Sequence, residues 1–328
     1  MRKRLSLAAV AIALAFAAAA CSRQPAVVEK SAAEKAAEAA AALDVGVAAY
    51  NAGDYAGALA SFKPLAESGN AAAENNLGRM YQDGKGVAQS YEEAVKWYGM
   101  AADKGLAQAE NSLGVLYENG DGIAQSVEDA LKFYGQAAQQ GLAEAETNLG
   151  RLNYEGLGVA QNYGEALRLF QAAAAQGNAA AEFNLGVMYA NGQGVAKDLA
   201  EAVKWYRMAA DQEVAAAAYN LGAAYEDGQG VKRDYAEAMK WYRAAAEQGM
   251  AEAQNNVGRM YAGGRGVPEN VVKEHMWYSL ALAALKGDDA KRAKDFVAGL
   301  EADMSPEEVM QAQAAAMRCK ESNYKSCD

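Results

Sequence analysis

One histidine, His275, stands in 328 residues. A chain with so few imidazoles has little from which to assemble a histidine-rich metal centre, and only one candidate imidazole base for proton transfer. No Ser-x-x-Lys nucleophile occurs between residues 44 and 286. No basic stripe is present either, and the formal charge is −11, a field that repels nucleic acid and anionic lipid heads. Apolar runs are short as well. The longest, residues 5–20, has 16 residues, fewer than the ~20 that a membrane-spanning helix needs.

What that run does have is the layout of a secretory signal: Arg2, Lys3 and Arg4 before it and the small residues Ala18, Ala19 and Ala20 after it. Removing the three basic residues takes +3 away from −11 and leaves about −14 on the exported part. Small side chains leading into Cys21 resemble the lipobox of bacterial lipoproteins, although Ala18 stands where leucine is commoner. The resemblance implies lipidation at Cys21 and, because Ser22 rather than aspartate follows, an outer-membrane lipoprotein facing the periplasm. The alternative is cleavage after Ala20 to a soluble periplasmic protein. Residues 22–43 carry almost no large apolar side chain and read as a flexible or partly helical tether. Cys319 and Cys327 would meet an oxidising compartment and form a disulfide worth about 2.5 kcal/mol on the chain-entropy estimate; a metal there would lack further ligands.

Between these ends the chain repeats itself. Leu77-Gly78 recurs as Leu113-Gly114, Leu149-Gly150, Leu185-Gly186, Leu221-Gly222 and Val257-Gly258, and a Gly-x-Gly follows each, from Gly84 and Gly86 to Gly264 and Gly266. The step is 36 residues throughout. Each copy holds two stretches with apolar residues four apart, as in Leu77 and Tyr81 or Ala94, Tyr98 and Ala102, so the unit is a helical hairpin. Gly105, Gly141, Gly177 and Gly249 read as helix stops. The Gly-x-Gly pairs read as turns pinned by the following valine or isoleucine; none has the strand, third glycine or Lys-Ser/Thr ending of a phosphate loop. Glycine inside the first helix costs about 1 kcal/mol relative to alanine, which makes sense if a neighbouring helix passes close. The expected neighbour is the column Trp97, Phe133, Leu169, Trp205, Trp241 and Trp277, with Tyr98 and its equivalents beside it.

With Leu-Gly-x-x-Tyr, Gly-x-Gly-Val, Ala-x-x-Trp-Tyr and Ala-Ala-x-x-Gly at this period, the chain resembles the Sel1-like repeats, relatives of the tetratricopeptide repeats. The resemblance implies an all-α fold, a right-handed α-solenoid of stacked helical hairpins. The expected organisation is a signal peptide over 1–20, a lipidated N-terminus and tether over 21–43, about seven repeats over 44–286, and C-terminal capping helices with the cysteine loop over 287–328. The first repeat, about residues 44–69, has a shorter loop, closer to a tetratricopeptide hairpin. Near Glu213 the stopping glycine is missing, which predicts a looser or continuous turn. Ser305-Pro306-Glu307-Glu308 reads as a helix start.

No catalytic constellation stands out, and no metal or cofactor is expected. His275 reads as a half-exposed helix residue, and Glu74, Glu110, Glu146 and Glu182 as acids placed to suit helix dipoles. Function then rests on surface shape. In tetratricopeptide-type arrays the first helices line the concave groove. The resemblance carries that role to the asparagines Asn76, Asn148, Asn184, Asn220 and Asn256, which hold either a peptide backbone or groups between adjacent repeats. Phe183 and Tyr219 would form an apolar groove centre, with Arg79, Arg151 and Arg259 toward the ends; surface drift explains the same columns. The expected function is a non-enzymatic, envelope-anchored scaffold that binds a protein or peptide and no nucleic acid, touching the membrane through its lipid. The alternatives are a β-lactam- or peptidoglycan-interacting protein, though the cysteine pairs of such repeats are missing here, and an assembly component of a secretion or exopolysaccharide export system.

Overall fold

In a computed structural model the protein is described over residues 31–325 and at Cys327. The export segment, Cys21 and the start of the tether lie outside the described residues. Among the described residues there are sixteen α-helices and no strand. The chain is an all-α solenoid built from hairpins, in two compact units divided between Leu77 and Gly78.

The first unit contains α1 (Ala32–Asn51) and α2 (Tyr55–Glu67). Ser31 opens α1 with a reciprocal cap: its hydroxyl accepts from the Glu34 N–H at 3.2 Å while the Glu34 carboxylate accepts from the Ser31 N–H at 2.7 Å. The helix therefore begins inside the expected tether and runs on past residue 44. Its first half is exposed, and burial starts at Gly46 and Tyr50. A Cβ at Gly46 would lie 2.5 Å from the Phe62 ring, so only glycine lets α2 approach this closely. Phe62, Ala58 and Ala66 are buried along α2.

In the second unit the repeats follow one plan. After α3 (Ala71–Asp83), which crosses the division, comes α4 (Tyr91–Ala102). The next hairpins are α5 (Ala107–Asn119) with α6 (Val127–Gln139), α7 (Ala143–Glu155) with α8 (Tyr163–Ala174), and α9 (Ala179–Asn191) with α10 (Leu199–Asp211). They are followed by α11 (Ala215–Asp227) with α12 (Tyr235–Ala246), and α13 (Ala251–Ala262) with α14 (Val271–Ala284). The first-helix glycine does admit a neighbour, but a different one from that expected. A Cβ at Gly222 would fall 2.7 Å from Tyr242, and the equivalents meet Tyr98, Tyr134, Phe170, Tyr206 and Tyr278. The tyrosine column closes each hairpin; Trp97, Phe133 and Trp205 lie beside it, partly exposed. The loop glycines have a second purpose. A Cβ at Gly230, which has a φ of 74°, would sit 2.2 Å from the Leu199 carbonyl oxygen, so this loop, like those at Gly122, Gly158, Gly194 and Gly266, lies against the start of the preceding second helix.

The turn at Glu213 is neither loose nor continuous. Glu213 takes φ 64°, and the Val214 N–H still reaches the Ala209 carbonyl at 3.1 Å, as Leu106 reaches Ala101 at 3.2 Å beside Gly105. Packing on both sides imposes the left-handed stop on a residue that disfavours it.

Two more helices, α15 (Gly287–Asp303) and α16 (Pro306–Glu321), follow the last hairpin. Ser305 and Glu308 form the reciprocal cap read from the sequence, with Pro306 in the first turn. His275 is buried, at 1% exposure, rather than half-exposed. Its Nε2 meets Glu301 Oε1 at 2.8 Å, because α15 crosses the helix face that a solvated residue would have kept, and that bond holds the Glu301 carboxyl below its usual range. Cys319 and Cys327 are joined by a disulfide, both buried, and Tyr324 in the intervening loop packs near Gly249.

Candidate functional site

The expected binding residues all lie on first helices, and the structure divides them by what they touch. Asn76 is partly buried on α3 and Asn184 on α9. Asn148 donates to Asn111 Oδ1 of the preceding repeat at 3.1 Å, and Asn220 hydrogen-bonds Tyr206. Asn256 Oδ1 lies 3.5 Å from Arg259. Two of these amides, Asn148 and Asn220, therefore link side chains of adjacent first helices or hairpins. Phe183 packs 6.1 Å from Tyr206 and Tyr219 5.7 Å from Tyr242, centroid to centroid. Both remain partly exposed.

Two of the three arginines form ties between repeats that single-residue columns did not reveal. Arg151 bonds Glu118 of the preceding repeat and Glu155 at 3.1 Å, and Glu118 also accepts from the Tyr134 hydroxyl at 2.9 Å. Arg259 grips Glu226 with both terminal nitrogens at 2.7 Å, while the Tyr242 hydroxyl donates to it at 3.0 Å and Arg265 approaches to 3.4 Å. Burial would raise the Glu226 carboxyl, but these donors and charges outweigh it and hold the group below its ordinary value. Burial, then Glu226, push the Tyr242 hydroxyl well up. Arg79, more exposed, lies 3.9 Å from Asp83 one turn along its own helix.

The acidic column is not a dipole feature alone. Glu110, Glu146 and Glu182 are buried, and each accepts from a glutamine at the end of the second helix: Gln140 at 2.8 Å, Gln176 at 3.0 Å and Gln212 at 2.8 Å. A nearby helix N-terminus would lower their pKa values, yet loss of water raises all three. They pin each hairpin closed. Among the described residues no three His, Cys, Asp or Glu side chains are grouped to share an ion, and no helix is long and apolar enough to cross a membrane.

Two clefts open on this face. One, of about 320 Å³, lies where α9 and α11 meet α10 and is lined by Val187, Asn191, Val203, Asn220 and Ala223. The other, of about 460 Å³, lies where α13 and α14 meet α15 and is lined by Tyr219, Asn256, Tyr278, Leu285 and Phe296. Tyr219 and Asn220, adjacent on α11, each belong to a different cleft. Phe296 remains 52% exposed at the second.

A profile of the Sel1 repeat matches residues 71–106, 107–142, 143–178, 179–214, 215–250 and 251–284. Among solved structures, a Sel1 repeat protein from Oxalobacter formigenes is similar at 34% identity, with a TM-score of 0.67, over 73% of this chain and 96% of that one. A protective antigen with an SLR fold, present in uropathogenic Escherichia coli strains, shares 23% identity over 89% of this chain and 95% of its own, with a TM-score of 0.47. A Sel1 repeat protein from Klebsiella pneumoniae subsp. pneumoniae shares 21% identity over 61% and 97%, with a TM-score of 0.43. No curated protein matches.

Proposed function

Because the chain belongs to the Sel1 repeat family, whose members are generally protein-interaction scaffolds, we propose that it is a non-enzymatic scaffold, exported and anchored in the outer membrane through Cys21, that docks a protein partner on its first helices. The observation that carries this reading is the pair of clefts flanking Tyr219, which leave apolar surface open on a face where the neighbouring polar groups are bonded to one another. On the second helices, Lys96, Arg168, Lys204 and Lys240 are each paired with a glutamate three residues earlier, as on a solvated surface. A lipid at Cys21 would hold the array at the membrane and raise its local concentration.

A photoreactive residue at position 219 tests the docking face in intact cells, with one at the exposed position 204 as the comparison. The reading predicts a specific protein adduct from 219 and none from 204. Adducts from 204 alone would overturn it.

A further inference from the structure

Charge is distributed unevenly along the first helices of the second unit. At the α5–α7 end, one guanidinium, Arg151, serves two carboxylates, Glu118 and Glu155. At the α11–α13 end the ratio is inverted, with Arg259 and Arg265 sharing the single buried carboxylate of Glu226. Those two side chains are 41% and 48% exposed. A guanidinium has five N–H donors, and contacts to one carboxylate and one amide do not exhaust ten. Between the two ends, the face presents Phe183, Asn184, Val187, Tyr219, Asn220 and Ala223, none of them charged. The clefts open within and beside this neutral stretch.

We infer that this face takes an extended segment of a partner protein that is basic at one end, carries one apolar side chain in its middle, and is acidic at the other. The inference rests on the docking face proposed above and gives the partner its chemistry. The α9–α11 cleft lies between the two charged ends, whereas the cleft at α13, α14 and α15 lies past Arg259, outside the span. An extended chain advances about 3.3 Å per residue, and packed helices lie roughly 8–10 Å apart, so a segment whose middle apolar side chain enters the α9–α11 cleft reaches a charged end within a few residues on either side. The basic end meets Glu118 and Glu155. A carboxylate at the other end takes the unspent donors of Arg259 and Arg265. Exposed Asp227, beside Glu226 in the chain, and Glu252, which lines the second cleft, are acidic side chains that act against that end.

Fluorescent peptides with one central leucine, acetylated and amidated, test this when flanked by Lys and Glu, by Lys at both ends, or by Glu at both ends. The full chain should bind the mixed peptide at least tenfold more tightly than either uniform one. Arg265→Glu, which leaves the Arg259–Glu226 pair in place, should shift the preference to the peptide with Lys at both ends. Ala223→Glu should lower mixed-peptide binding more than tenfold, and Glu252→Gln with Asp227→Asn should raise it. Equal binding of all three peptides, or an unchanged order in Arg265→Glu with helicity and Tm preserved, would overturn the inference. If the 219 adduct still forms while peptide flanks make no difference, only the charge order fails; if the adduct is missing, the docking face fails with it.

Discussion

Glu110, Glu146 and Glu182 keep a titratable group out of water in three successive repeats, and Gln254 shows that the same column accepts an amide. Their folded pKa values are raised, so the folded state holds these protons more tightly than the unfolded chain does. The resulting stability is fully present below the unfolded value of 4.5 and is lost as pH rises through the folded values. Replacing all three with glutamine should therefore stabilise the protein at pH 7 by about 1 kcal/mol, with the difference shrinking as pH falls toward 4.5. Urea unfolding at several pH values checks this; a variant less stable at pH 7 would show that the charged form is the favoured one. The sequence shows the column but not its burial, since the glutamine that covers each carboxylate lies 30 residues away. His275 was misread for the same reason: its partner, Glu301, comes from a helix outside the repeat pattern.

At the scale of a helix pair, the first-helix glycine is a spacing device with a graded fit. At Gly222 an added Cβ would meet Tyr242 at 2.7 Å, and at Gly258 it would meet Tyr278 at 3.2 Å. Gly222→Ala should cost about 1–3 kcal/mol through overpacking. Gly258→Ala should stay within about 1 kcal/mol of the natural chain, because gained helix propensity offsets a milder contact. Thermal unfolding of the two variants separates these outcomes, and equal effects would contradict the spacing account. The periodic glycine was legible without coordinates. Its partner was not, because adjacent residues on a helix point about 100° apart, and Trp241 and Tyr242 equally satisfied the need for a bulky neighbour. Glu213 shows the converse: sequence identifies a missing stop, whereas only the packed helices on both sides reveal that the stop persists.

Across the whole molecule, the repeat order, the helical hairpins and the C-terminal cap were readable because each signal recurs or uses local capping chemistry. The ties Glu118–Arg151 and Glu226–Arg259 were not, since each spans 33 residues. Those ties stiffen the face that two open clefts interrupt, which is where the account places the partner. Hydrogen exchange of the full chain with and without the partner captured at position 219 tests that placement most directly. The account predicts added protection in α9, α10, α11, α13 and α15, with α12 unchanged; added protection confined to α12 would contradict it.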